Sequence, residues 1–277
     1  MGVSSLVQRI VSGVVLIAVT VACLWFPWGV LALACLMAVA VSVEFYRMVS
    51  SARYRKEQVL VVASMVVELV ILFMHLAYGL DACFLLPGLV LVVAAWICLI
   101  FDGASDHAFS TEAFFPLVYV LPASLSLLRL SWPGGAFSWR LTLGLIVLVW
   151  INDIGAYCVG MLFGQRADSR KLFPALSPKK SWMGVYGGTV FTFLAAWAVC
   201  ALWGADVLPL FHWMMLALIV ATLSVLGDLF ESLIKRHAGV KDAGHFIPGH
   251  GGMLDRVDGQ LFALPVAALY LLVFQLI

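Results

Sequence analysis

Charge is what this sequence has least of. Only 11% of its 277 residues are Asp, Glu, Lys or Arg, against about a quarter in a soluble globular domain, while 64% are hydrophobic. Such a chain cannot cover a water-facing surface, which excludes a soluble enzyme and a disordered chain. Sixteen Lys and Arg against fifteen Asp and Glu leave a net charge of +1, so no global field draws nucleic acid, and none is expected as a partner. The cysteines (Cys23, Cys35, Cys83, Cys98, Cys158 and Cys200) lie in or beside apolar runs and form no C-x-x-C pair. That leaves zinc and redox readings with little support, and so apolar a composition excludes a disulfide-stapled secreted module. Neither a P-loop nor a dinucleotide G-x-G-x-x-G occurs, so soluble nucleotide-binding domains are excluded too. No internal repeat is visible, which argues against inverted-repeat transporter architectures.

What the sequence does have is long apolar runs. A bilayer core about 30 Å thick takes about 20 apolar residues as a helix. Nine stretches qualify or come close: 10–26, 29–45, 59–78, 84–101, 114–130, 141–163, 185–203, 211–227 and 260–277. The fold expected is therefore an all-α, polytopic integral membrane protein with about nine transmembrane helices. The first run reads as a retained span, because no small-residue cleavage site follows it and Trp25, Phe26 and Trp28 form an interfacial aromatic belt. With the N-terminus cytoplasmic, fourteen of the sixteen Lys and Arg fall on the inner face and only Arg129 and Arg140 on the outer one. That is the asymmetry of cytoplasmic loops, and an odd number of spans puts the C-terminus outside. The inner 102–113 loop, with Asp102, Asp106 and Glu112, is the one without a cation.

Polarity divides the chain again. Residues 1–140 read as a plain transmembrane helical region. Residues 141–277 read as a catalytic transmembrane region whose cytoplasmic loops, 164–184 and 228–259, carry most of the polar chemistry. Loops of that length are more often functional or disordered than idle, and the specific arrangement of Gly, Pro, Lys and Asp in both favours function. If the span from Phe211 continues helically, Asp228, Glu231 and Lys235 share one face, so two carboxylates can ligate a hard cation beside a phosphate-binding Lys. The competing reading is an amphipathic helix end, with Lys235 and Arg236 facing the C-terminal dipole and anionic lipid. Further on, Gly251-Gly252 lets backbone N–H groups approach an anion, and Asp255 and Asp258 stand three apart at the start of the last span. Acids and glycines suit any helix start, but that leaves Lys241, His250 and Arg256 unaccounted for. His245 and His250 lack the companions of a zinc pair.

Asp153 lies within a span, where a carboxylate costs about 2.5–3.5 kcal/mol and faces a cavity or a partner. Glu68 and His75 read as a packing pair on one helix face. In 176–184, Ser177-Pro178-Lys179-Lys180 reads as a mobile basic arm able to neutralise a polyphosphate, with surface lipid binding as the alternative. Carboxylates for a divalent cation, Lys and Arg for polyphosphate and a membrane for an amphipathic co-substrate together suit phosphoryl or nucleotidyl transfer.

These motifs resemble a known family. Ser232-Leu-Ile-Lys235-Arg236, Lys241-Asp242, Pro248-Gly-His250-Gly251-Gly252 and Asp255-Arg256-Val-Asp258 are similar to the signature of phosphatidate cytidylyltransferase, also called CDP-diacylglycerol synthase. Upstream, Asn152-Asp153-Ile154-Gly155-Ala156-Tyr157 and Leu176 to Trp182 look like two further family motifs in the same order. Met183 replaces the Glu expected after the Trp, Met161 replaces a basic residue after Gly160, and Gly259 replaces a commoner Ser. The resemblance implies that CTP and phosphatidic acid give CDP-diacylglycerol and pyrophosphate, with Mg²⁺ as cofactor and a second metal or monovalent ion left open. It implies that Asp228, Asp255 and Asp258 hold the metal. Lys235, Arg236, Lys241 and Arg256 would act on the leaving group, while Asp153, Ser177, Lys179, Lys180, His250, Gly251 and Gly252 would bind substrate. The expected setting is a bacterial inner membrane with the active site facing the cytoplasm, and a homodimer is compatible with it. A CDP-alcohol phosphotransferase fits less well, since only Asp255-x-x-Asp258-Gly echoes its pattern. An ion-coupled transporter leaves 235–258 unexplained.

Overall fold

The computed structural model describes residues 3–49, 55–80, 90–95, 97, 107–166, 169–203, 205–244, 246 and 251–277. His245, Pro248, His250, Asp102 and Asp106 lie outside them, as does most of the 84–101 run. The chain forms two compact units: Met1–Phe137 with Val240–Val257, and Ser138–Gly239 with Asp258–Ile277.

In the first unit α1 (Val3–Leu24) turns at Trp25 and Phe26 into α2 (Pro27–Val49), whose leading proline suits a first helical turn that has no partner for its N–H. α3 (Arg55–Tyr78), α4 (His107–Tyr119) and α5 (Leu121–Leu130) follow. The run expected as one span, 114–130, falls in one candidate span, Glu112–Leu130, within which α4 gives way to α5 at Val120, ahead of Pro122 in the first turn of α5. Aromatic rings weld the bundle: Phe73 is fully buried, 4.6 Å from Trp28 and 5.8 Å from Trp132 between ring centres. Tyr46 donates to the Ala113 carbonyl at 2.6 Å. His75 meets the Leu80 carbonyl, just past the end of its own helix, at 2.6 Å.

The second unit holds α6 (Trp139–Phe163), a hairpin of β1 (Lys171–Phe173) and β2 (Ser177–Ser181), α7 (Trp182–Trp203), α8 (Leu210–His237) and most of α9 (Leu254–Val273). α6 and α7 approach closely over small residues; a Cβ on Gly188 would lie 2.8 Å from Asn152 Oδ1. There Thr192, fully buried, donates to Asn152 Oδ1 at 3.2 Å, so the polar pair is satisfied inside the bundle.

Seven helices among the described residues are long and apolar enough to cross a membrane, and α1 contributes a shorter apolar stretch, Ile10–Leu24. The strands among the described residues are confined to one short hairpin, so the fold is all-α and polytopic. Two boundaries differ from expectation. α8 runs ten residues past 227, because Phe230, Leu233 and Ile234 keep the apolar period, and it stops where Gly239 takes a left-handed φ of +70°. The 176–184 segment is no mobile arm: Ser177–Ser181 is a strand paired with β1.

Candidate active site

The continuation of α8 places Asp228 and Glu231 one turn apart on one face. Asp258, in the second turn of α9, meets them because Gly227 has no side chain; a Cβ there would run into the Asp258 carbonyl oxygen. One carboxylate oxygen from each of Asp228, Glu231 and Asp258 lies within 4.8 Å of the others. Asp258 also accepts the Gly259 N–H at 2.8 Å. Two ammonium groups face the trio. Lys180 is ion-paired with Asp228, and Lys235 meets Glu231 at 2.7 Å with both side chains largely buried. Three carboxylates repel one another at this range in a weakly polar interior. Their oxygens are the donor type that a hard divalent ion takes, so the residues fit one.

The hairpin delivers the lysines. Lys171 Nζ donates to the Gly164 carbonyl at 2.8 Å and to Gln165 Oε1 at 3.1 Å, while Gln165 Nε2 donates to the Lys179 carbonyl at 2.9 Å. β2 is thereby stapled to the end of α6. Ser181 Oγ accepts the Gly184 N–H at 3.2 Å and caps the start of α7. Lys179, Lys180, Asp153 and Asp228 then line one cavity of about 540 Å³, with Asn152 and Ser224 at its wall and Tyr157, Met161, Val185 and Val225 making part of it apolar. Ser177, at the far end of β2, is not among the lining residues.

The 240–257 segment belongs to the first unit. Asp255 Oδ2 accepts the N–H of Gly252 at 2.9 Å and of Ala243 at 3.2 Å. Glu44, 4% exposed on α2, accepts the N–H of Met253 at 2.9 Å and of Leu254 at 2.8 Å. Gly244 and Gly252 press against that carboxylate, where a Cβ would come within 2.8 and 2.7 Å of its oxygens. Lys241 and Arg256 are exposed. The metal set expected from the sequence is Asp228, Asp255 and Asp258. The structure brings Asp228 and Asp258 together with Glu231, and Asp255 caps its own loop. Gly252, expected to offer its N–H to a substrate anion, gives it to Asp255. His250 lies outside the described residues.

Sequence reasoning missed Glu44 altogether. The signal was present: a carboxylate in the run 29–45 raises the same question as Asp153.

The sequence model of the Cytidylyltransferase family matches residues 7–274. The chain belongs to the cytidylyltransferase family. Relatives of this cytidylyltransferase are named phosphatidate cytidylyltransferase. That of Pseudomonas aeruginosa is 40% identical over 153 residues, 55% of this chain and 54% of its own length. That of Thermotoga maritima is 39% identical over 175 residues, 61% and 62% of the two chains. The Brucella suis protein is 32% identical over 279 residues, 97% of this chain and 93% of its own. The chain thus spans only about half to three-fifths of the first two relatives' length, and nearly all of the third.

Proposed function

We propose that the protein transfers the cytidylyl group of CTP to phosphatidic acid, yielding CDP-diacylglycerol and pyrophosphate, at the cavity lined by Asp153, Lys179, Lys180 and Asp228. The carrying observation is the carboxylate trio of Asp228, Glu231 and Asp258 with Lys180 paired to it at the edge of a partly apolar cavity. The names of the relatives support the choice of substrates.

In this reading a phosphate oxygen of phosphatidic acid attacks the α-phosphorus of CTP. The bond between the α-phosphorus and its bridging oxygen to the β-phosphorus breaks, and pyrophosphate leaves with the electron pair. The attacking phosphate is already anionic, so no strong general base is required. Asp228, Glu231 and Asp258 would hold Mg²⁺, which when bound neutralises negative charge on the phosphates. Lys180 keeps the trio from carrying its full negative charge into the site, and Lys179 offers a further ammonium to an anion in the cavity. Lys235 is tied to Glu231 and orients that carboxylate, with Arg236 beside it in the last helical turn. The apolar wall of Tyr157, Met161, Val185 and Val225 suits the glyceride part of a lipid. Roles for Ser177, His250, Gly251, Lys241, Asp255 and Arg256 rest on the family resemblance. The Lys/Arg asymmetry supports an inner-membrane protein with its N-terminus and active site cytoplasmic.

The test is CDP-diacylglycerol and pyrophosphate formation by the detergent-purified protein. EDTA should abolish turnover and Mg²⁺ restore it, and Asp228→Asn or Asp258→Asn should lower it by about 100-fold or more, the usual loss for one electrostatic group. Near-normal turnover of either variant defeats the metal assignment. Pyrophosphate release that ignores added phosphatidic acid defeats the lipid acceptor.

A further inference from the structure

A second cavity, of about 550 Å³, shares no lining residue with the first among the described residues. It lies at the polar ends of two spans, between the chain leaving α6 and the first turn of α7. Its cationic wall is Arg166 and Arg170, and its aromatic wall is Phe163, Trp182 and Tyr186. The backbone is tied down: Ser169 N–H donates to the Arg166 carbonyl at 3.1 Å and Trp182 N–H to the Arg170 carbonyl at 3.1 Å. The Arg166 guanidinium sits 5.4 Å from the centre of the Phe163 ring, and the Trp182 and Tyr186 rings are 6.1 Å apart. Among the described residues no lining residue is acidic and neither arginine has a carboxylate partner. Asp168, between them in sequence, lies outside the described residues. Ser169 also lines the cavity, and its Oγ is buried and has no hydrogen-bond partner among the described residues.

We propose that this cavity binds the phosphate-bearing headgroup of an anionic phospholipid that is not the substrate. Three independent features select that ligand. Two guanidiniums line it, and each is a planar fork of N–H donors that matches phosphate oxygens. A buried hydroxyl supplies one more donor to such an oxygen. Trp182 (43% exposed) and Tyr186 (59% exposed) are side chains that lie at headgroup depth, where a lipid's glycerol and upper acyl carbons pack on rings. Lys171 lies in the same stretch of chain but is bonded to Gly164 and Gln165, so the positive-inside bias alone does not account for two arginines left facing a cavity. Occupancy would tether the hairpin that carries Lys179 and Lys180 to the membrane surface, without touching either lysine.

The experiment uses the full chain in nanodiscs of phosphatidylcholine, titrated with phosphatidylglycerol carrying a spin label near the glycerol, and reads quenching of tryptophan fluorescence. Phosphatidylglycerol has no terminal phosphomonoester and so cannot report on the reaction cavity as a substrate. The wild type should show a saturable quenching component. In Arg166→Gln/Arg170→Gln its affinity should fall about thirtyfold, at about a factor of five for each cation removed near an anionic surface. Turnover of CTP with phosphatidic acid by that variant should be retained, which also shows that it folds. Trp182→Phe, which leaves the charges in place, should remove the quenching component. Equal affinity in wild type and double variant, or unchanged quenching in Trp182→Phe, overturns the proposal. Equal binding of spin-labelled phosphatidylcholine overturns the anionic requirement. Displacement of the label by millimolar inorganic phosphate would make the cavity a free-phosphate site instead.

Discussion

Replacing Glu44 tests whether one carboxylate on α2 holds the start of the last helix. Its two oxygens accept the N–H groups of Met253 and Leu254 at 2.9 and 2.8 Å, and the side chain is only 4% exposed. A buried donor left without an acceptor costs about 1–3 kcal/mol. Glu44→Ala orphans two donors, so the first turn of α9 should be destabilised by about 2–6 kcal/mol. At about 1.4 kcal/mol per tenfold, even the lower figure raises the local opening equilibrium about thirtyfold. Glu44→Gln keeps the shape and one acceptor oxygen, so about half that energy should be lost. Hydrogen–deuterium exchange reads this directly. Peptides over 251–258 should exchange at least about thirtyfold faster in Glu44→Ala and about fivefold faster in Glu44→Gln, with peptides over 211–226 unchanged. Exchange of 251–258 close to the wild-type rate in Glu44→Ala would refute the clamp. A uniform rise across both regions would replace it with a general loss of stability.

Gly227→Ala should lower the melting temperature in detergent together with activity. The added Cβ meets the Asp258 carbonyl oxygen, and overpacking of about 1–3 kcal/mol outweighs the gain in helix propensity of about 1 kcal/mol; an unchanged or raised melting temperature refutes the close approach. Lys180→Met should reduce turnover more than Lys179→Met, because Lys180 is paired with Asp228 and half-buried whereas Lys179 is exposed. Steady-state CDP-diacylglycerol formation by the two variants decides it, and equal losses would sink the distinction.

The spans were legible because a run of about 20 apolar residues suits little besides a helix that crosses a bilayer. What escaped was local. The joint between α4 and α5 at Val120, ahead of Pro122, lies inside a run whose hydropathy does not change, so it leaves no mark on the sequence while 112–130 remains one candidate span. The hairpin was invisible for the opposite reason. Ser177-Pro178-Lys179-Lys180 has neither the alternation nor the β-branched residues of a strand. Its pairing is fixed by contacts that only the folded chain supplies, chiefly Gln165 to the Lys179 carbonyl and Trp182 to the Arg170 carbonyl. Asp228 and Glu231 were legible as one face of a helix once that helix was allowed to continue.

The division of labour between Asp255 and Asp258 shows where spacing stops being informative. The two stand three apart on one helix, and periodicity alone treats them as equivalent. The difference lies in the unpaired N–H groups that every helix leaves at its start. Asp255, in the first turn, takes the N–H of Gly252 just ahead of the helix and that of Ala243 in the preceding loop, while Glu44 takes those of Met253 and Leu254. Asp258, a turn further into the helix, lies past those groups and meets Asp228 and Glu231 instead. Gly251-Gly252 before a helix reads as an anion cradle, but carboxylates of the protein already accept from Gly252, Met253 and Leu254. The positive end of α9 is neutralised from within, so charge for a polyphosphate has to come from side chains. That makes Lys179 and Lys180 the cations on which turnover should depend most steeply.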